Sequence, residues 1–542
     1  MTTKKPRKEK LSIYLAKDSS VYDISIIKTE NSKEPVKLAI NSGSAVLYVK
    51  REMPGTTPPW TKLLTKDQKL PDNIFGKSNT VGAALVIRES EHVFVLTFGS
   101  GFHLLKNESI ERDFGLKVTL NSVDPDKLRS LDKASYDHNP LNSRTQSAKD
   151  LDIFELHIDS ELDMLYAVTG ASKVNVFGSH VTGRDALTLM VEIDLNGISA
   201  VLKEALARYT SPLPKEFEWV ENINRVKDSE VIELLDMELD DTLSKPNEGS
   251  IWLGEPEIID WESQIGYSFD LYQKTPRHVV LEFKDLIEYF QLHKKPLCVE
   301  SLKDQTVHIN NSEYQSFKNW KAYRCLYAEI KVGQEQYILR NGIWYRVDMD
   351  FVSSIDSYLK DIAAYQHKLP TYNHDREEEY NQHVTDLDDS YSLMDKKNIK
   401  IGGPYDKLEF CDLIKDGADF IHVKYYRSSA TLSHLFSQGS VAAEAFVRDS
   451  EFREKLNQKL PECTKLKNPA NRPNPSDYRV IYAIATSKKL PHELPFFSKV
   501  TLKNALKTLR ALDYKVELAS IEVDPVLLVK KKGKPQKKTK LA

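Results

Sequence analysis

The sequence predicts a multidomain protein of mixed α/β (α+β) class, and three observations carry that prediction. At 542 residues the chain is longer than one hydrophobic core accommodates, so several domains are expected. Short β-branched and aromatic runs alternate with helix-period segments along its length. From Phe351 onward the alternation settles into the order α-β-β-β-α-β, followed by a further α-β. Apolar residues make up 40% and charged residues 29%, the balance of an ordinary globular chain. No run of about 18 apolar residues is present, so no membrane association is expected. The basic amino terminus is followed too soon by charge to act as a signal peptide, which points to the cytoplasm.

An amino-terminal α/β domain is expected over 1–230. Its strands are the runs Leu11–Leu15, Tyr22–Ile27, Ser44–Val49, Gly82–Arg88 and, most clearly, His92–Gly99. Gly99-Ser-Gly101 invites a phosphate-loop reading, but it lacks the lysine and spacing of a P-loop and reads as a turn. Ile198–Tyr209 places Ile198, Val201, Leu202, Ala205 and Leu206 on one helical side. The aromatics Phe217, Trp219, Trp252 and Trp261 have no interleaved basic residues and read as core rather than as a base-stacking surface. A middle α/β region is expected over 231–350. It ends in a hairpin whose Asn341-Gly342 dipeptide suits a type I′ turn.

The third expected domain covers 351–525. A helix is predicted over Phe351–Gln366, ended by Pro370, and a second from Glu377 towards Tyr391. Strands are predicted at Leu393–Ile401, Leu408–Ile414, Phe420–Tyr426, Arg479–Thr486 and from Lys515 to Ile521, with helices over Leu432–Phe446 and Val500–Leu512. A basic tail, 526–542, carries seven lysines between Lys530 and Lys540 and no acid, so it reads as a disordered, phosphate-attracting or solubilising segment. The four cysteines stand singly, without zinc-type spacing, and Cys411 reads as a buried thiol.

The chemistry is concentrated in Asp412-Leu-Ile-Lys-Asp-Gly-Ala-Asp-Phe-Ile-His-Val-Lys424. An acid stands on one predicted strand and a lysine on the next, and period-two alternation points His422 and Lys424 the same way. Carboxylates can hold a divalent ion, and a lysine beside it can stabilise hydroxide or developing negative charge. With an acid-bearing helix before the strands and a polar helix after them, this layout resembles the PD-(D/E)xK nuclease superfamily.

That resemblance implies a restriction-endonuclease-like αβββαβ core, with Glu379 as the helix acid (Glu378 or Glu377 in a shifted register), Asp412 as the strand acid and Lys424 as the lysine. Glu409, three residues before Asp412, lies on the other face of a regular strand; a bulge would let it reach the site, and it ranks second as a metal ligand. Gln438 falls where some members carry a glutamine facing the active site. His422 departs from the pattern, which places Asp or Glu two residues before the lysine; Mrr-like nucleases resemble this chain in having a neutral residue there. It can ligate a metal, position water, or mark lost metal affinity.

The whole chain also resembles a bacterial family, about 540 residues long, described only as sporadically distributed and of unknown function. The likeness runs through Leu96–Gly101, Phe114–Asn121, Glu379–Asn381, Cys411–Leu413, Ile421–Lys424, Leu432–Gly439 and Leu494–Lys499. The name implies a defence or mobile-element association. The expectation is therefore a Mg²⁺- or Mn²⁺-dependent endonuclease acting on DNA, in defence against phage or foreign DNA, with Glu379, Asp412 and Glu409 on the metal. A partner protein or a second copy of the chain is compatible with it. The alternatives are a noncatalytic nucleic-acid-binding scaffold with a degenerate nuclease fold, or a toxin directed at RNA.

Overall fold

The computed structural model describes residues 8–529 except 20–21, 41–42, 53–54, 56–60, 62–63, 65–73, 78, 136–141, 153–154, 157, 245–250, 258–263, 273, 312, 401–407 and 427–428. The basic tail from Lys530 and Trp261 lie outside the described residues. The class is mixed α/β, and the described residues form sheets of ten, five, three and six strands. The chain divides into two compact units, one of residues 1–134 and 142–220, the other of 135–141 and 221–542. No described helix is long and apolar enough to cross a membrane.

In the first unit the described strand pairings are antiparallel, and His92–Gly99 pairs along its length with Gly82–Glu89. The Gly99-Ser-Gly101 segment is a tight turn. Gly99 sits at φ +56°, and a Cβ on Gly101 would come 1.9 Å from the Ala83 carbonyl oxygen. Glycine is needed there for backbone packing rather than for phosphate. In the second unit, Asn341 (φ +51°) and Gly342 (φ +69°) form the expected tight turn between Glu335–Arg340 and Ile343–Val347.

The six-stranded sheet is built from residues 363–521. Its elements are α1 (Met349–Leu359), β1 (Ala363–Ala364), α2 (Glu377–Leu387), β2 (Tyr391–Leu393), β3 (Leu413–Lys415), β4 (Asp419–Tyr425), α3 (Ser429–Arg448), α4 (Ser450–Asn457), β5 (Arg479–Ala485), α5 (Phe496–Ala511) and β6 (Lys515–Ile521). The strand order is β1-β6-β5-β4-β3-β2. The first three pairings are parallel and the last two antiparallel.

The order of elements is the expected one, with three differences. The first helix stops at Leu359 because 363–364 pair with β6 as an edge strand. Asp449 caps α4, a helix without a counterpart in the sequence-based expectation. In place of the strands expected over 393–401 and 408–414 stand Tyr391–Leu393, which shares only Leu393 with the first, and Leu413–Lys415, and the described residues of 394–412 pair with one another by a bridge between Ile399 and Leu408.

Residues of β5 are almost continuously buried because both sheet faces are covered. On one face Tyr482 donates to the Phe436 carbonyl of α3 (2.9 Å), and Gly439 of α3 lies so close that a Cβ there would meet the Tyr482 ring at 2.6 Å. On the other, Tyr380 and Val384 of α2 join Ile421, Val423, Ile481 and Ala483 in one apolar cluster. The start of β4 is fixed by Asp419, 1% exposed, which accepts two bonds from Arg479 (2.6 and 2.7 Å) and one from Tyr365 (3.0 Å).

Replacing Asp419 with Ala removes three hydrogen bonds and leaves Arg479, 30% exposed, with Glu517 as its remaining carboxylate partner, and should cost about 2 kcal/mol. Urea unfolding of wild type and Asp419→Ala measures this, and a loss below about 1 kcal/mol would remove the anchoring role.

Candidate metal centre

The site grows from a gap in the sheet. Strand β3 pairs with β4 only as far as Leu413 opposite Ile421. Beyond that point β4 continues to Tyr425, and its N–H groups at Val423 and Tyr425 face a side where no described strand pairs with it. Two carboxylates take the strand's place. Asp412 Oδ2 accepts from the Val423 N–H at 2.7 Å, and Glu377 Oε1, from α2, accepts from the Tyr425 N–H at 3.1 Å. Buried backbone donors need such partners. Glu377 Oε2 also receives the Lys424 ammonium at 2.7 Å.

Two more acids join Asp412. One carboxylate oxygen from each of Asp395, Glu409 and Asp412 lies within 4.8 Å of the others, all three residues being half-buried. The turn that presents Asp395 is locked from behind. The Met394 and Asp395 N–H groups both donate to the Asp412 carbonyl (2.8 and 3.0 Å), and Lys396, at φ +60°, donates its N–H to Glu409 Oε1 (2.5 Å). A lysine in the left-handed region is strained and is kept there by these bonds. Gln438 of α3 donates to Glu409 Oε2 at 3.1 Å.

Asn381, fully buried on α2, places Nδ2 3.4 Å from Asp395 Oδ2, while its Oδ1 has no partner. Turned end for end, that amide would set its carbonyl oxygen 3.4 Å from the carboxylate. Two oxygens bound to one octahedral Mg²⁺ stand about 3 Å apart, so the spacing suits a shared cation.

Burial pushes the Asp412 carboxyl well above its ordinary range, and the charges of Glu409, Asp395 and Glu377 push the same way against the Val423 N–H. Glu409 is raised too, first by burial and then by Asp395, against the Lys396 N–H. Like charges gathered in a desolvated place are costly, and a hard divalent cation relieves that cost. The donor set, carboxylates with an amide oxygen, fits Mg²⁺ or Mn²⁺ better than a soft metal.

The structure brings Asp412, Glu409 and Gln438 together, while Lys424 pairs with Glu377, whose charge in turn acts on Asp412. Glu379 does not join them. It is exposed on α2, and Glu378 is also exposed and pairs with Lys396. The helix acid that reaches the sheet is Glu377. The reason is helical phase: Glu377, Tyr380, Asn381 and Val384 follow the i, i+3, i+4, i+7 spacing of one buried face, and Glu379 lies off it. That spacing was available in the sequence.

Glu409 reaches the cluster because residues 409–412 form no regular strand, so the expected alternation does not apply. Asp395 gave no such signal, since Leu393–Ile401 reads as a strand. His422 stays out of the carboxylate group. It is 2% exposed, packs against the Tyr482 ring at 5.9 Å, and burial lowers it to about 4, so it is neutral at physiological pH.

A family model described as a family of unknown function, DUF6119, matches residues 11–522. No curated protein and no solved structure matches the chain.

His422 generates a pH test. The unfolded chain takes up a proton as pH falls through about 6.5, whereas the folded chain resists until about 4. The stability that His422 supports at neutral pH is therefore lost as pH falls through that window, by up to about 3 kcal/mol. Urea unfolding at several pH values should show this slope in wild type and a flatter one in His422→Gln. Parallel slopes for the two proteins would contradict a buried neutral imidazole.

Proposed function

The chain belongs to the DUF6119 family, whose function is unknown, and from its own geometry we propose that it is a cytoplasmic, metal-dependent nuclease hydrolysing phosphodiester bonds of DNA. The observation that carries this reading is the convergence of Asp395, Glu409 and Asp412 at the open fork of β3 and β4, with the Asn381 amide beside Asp395, its oxygen without a partner, and with a strand-borne lysine held by Glu377. Asp395, Glu409 and Asp412 would hold Mg²⁺ or Mn²⁺, with Asn381 as an oxygen donor. Such a cation polarises the phosphate and lowers the pKa of bound water.

The remaining work falls to the chain. Lys424 supplies positive charge for the attacking hydroxide or the phosphorane-like charge of the transition state. Glu377 positions that ammonium through the 2.7 Å ion pair and is tied to β4 by the Tyr425 N–H, so lysine and strand move together. Gln438 orients Glu409 from α3. A neutral His422 adds no competing charge, much as Mrr-like nucleases resemble this chain in tolerating a neutral residue there. Defence against phage or foreign DNA is the role that the resemblance to a sporadically distributed family suggests.

A second reading has one observation in its favour. The Lys424–Glu377 ion pair leaves the lysine engaged, as in a scaffold that binds nucleic acid and does not cut it.

Plasmid and single-stranded substrates, incubated with the full chain and Mg²⁺ or Mn²⁺, separate the two readings. Cleavage should fall at least about 100-fold in Asp412→Ala and in Lys424→Ala, and remain near wild type in Glu379→Ala. Binding without cleavage under either metal favours the scaffold, and undiminished cutting by Asp412→Ala excludes the proposed site.

A further inference from the structure

In the second unit, the hairpin joining the strands Thr306–Asn310 and Ser316–Lys321 holds Tyr314 at φ +61° with the residue 52% exposed. A bulky aromatic rarely adopts that conformation unless its surroundings impose it, and strain of this kind gathers at binding sites. Here the imposing residue is Asn311. Its carboxamide oxygen accepts from the N–H groups of Glu313 and Gln315, both at 3.0 Å, and its carbonyl accepts from the Tyr314 N–H at 2.9 Å. One side of the Tyr314 ring is met by the Arg277 guanidinium, 5.8 Å from the centroid. Arg277 is itself held by the carbonyls of Thr275 (2.8 Å) and Tyr272 (3.2 Å).

Tyr314 borders a cavity of about 410 Å³ whose other walls include Leu271, His308, Gln315 and Asn319. His308 Nδ1 lies 2.9 Å from Ser316 Oγ, and burial lowers the imidazole below its ordinary range, so the wall it forms is polar and uncharged at neutral pH. The volume lies at the small end of ligand pockets. Carboxamides and a neutral imidazole offer donors and acceptors together, the combination that reads a base edge, and a rigid exposed aromatic supplies a stacking face.

We propose that this pocket binds a single unpaired nucleobase, stacked on Tyr314 and read at its edge by Gln315 and Asn319, with Arg277 beside the adjoining phosphate. It is a recognition site separate from the carboxylate fork. The choice of a nucleic-acid ligand rests on the nuclease reading, whereas the pocket stands on its own residues.

Fluorescence anisotropy of labelled homopolymeric oligonucleotides, one for each DNA base, against the full chain in EDTA tests the proposal without cleavage. Wild type and Tyr314→Phe should bind alike. Tyr314→Gly should bind at least about 10-fold more weakly. Its melting temperature should be unchanged or higher, because glycine removes the backbone strain. Asn319→Ala should reduce the difference in affinity between bases. The proposal is overturned if wild type binds none of the four oligonucleotides, or if Tyr314→Gly binds as wild type does. A protein that binds through Tyr314 and cuts nothing overturns the nuclease reading alone. One that cuts while Tyr314→Gly binds normally overturns the pocket alone.

Discussion

The early end of β3 is the constraint on which the candidate site depends. Had β3 continued past Leu413 alongside β4, the N–H groups of Val423 and Tyr425 would have found ladder partners. Instead they are met by Asp412 and Glu377. A sheet that opens in this way must satisfy the buried donors left without a ladder partner, and carboxylates do so while gathering negative charge in a confined space. The fork thus has a structural requirement and a chemical capacity in the same two side chains.

That economy has an energetic consequence. Asp412 is desolvated and shares its surroundings with Glu409, Asp395 and Glu377, with a single backbone N–H working in the opposite direction. The neighbouring turn adds strain at Lys396, and α2 buries an amide oxygen with no partner. Each of these features is unfavourable alone, and one bound cation would relieve all three carboxylates and the orphaned oxygen together. The Asp419–Arg479 pair at the other end of β4, by contrast, is complete within the chain and serves the register of the sheet.

Much of the fold was legible because hydrophobic periodicity is strong where both sheet faces are buried. Strands β4, β5 and β6 and helices α3 and α5 follow directly from such runs. β2 and β3 were not, since each pairs over three residues and the chain between them is irregular. The site divides in the same way. Asp412, Lys424 and Gln438 stand on or beside regular elements, and helical phase, properly applied, selects Glu377 over Glu379. Asp395 escaped notice because its position depends on a turn closed by the carbonyl of Asp412 and the carboxylate of Glu409, contacts between residues distant in sequence. Tyr314 escaped for a related reason: its backbone strain is imposed by the Asn311 side chain and leaves no mark on hydrophobic pattern.

The central claim, that the fork is a divalent-cation site, is tested most directly by crystals of the full chain soaked in Mn²⁺ and measured for anomalous scattering from manganese. The account predicts an anomalous peak about 2 Å from carboxylate oxygens of Asp395, Glu409 and Asp412, with the Asn381 amide turned so that its oxygen faces the ion. Saturating Mn²⁺ with no peak at the fork, and with Asn381 in its present orientation, would contradict it.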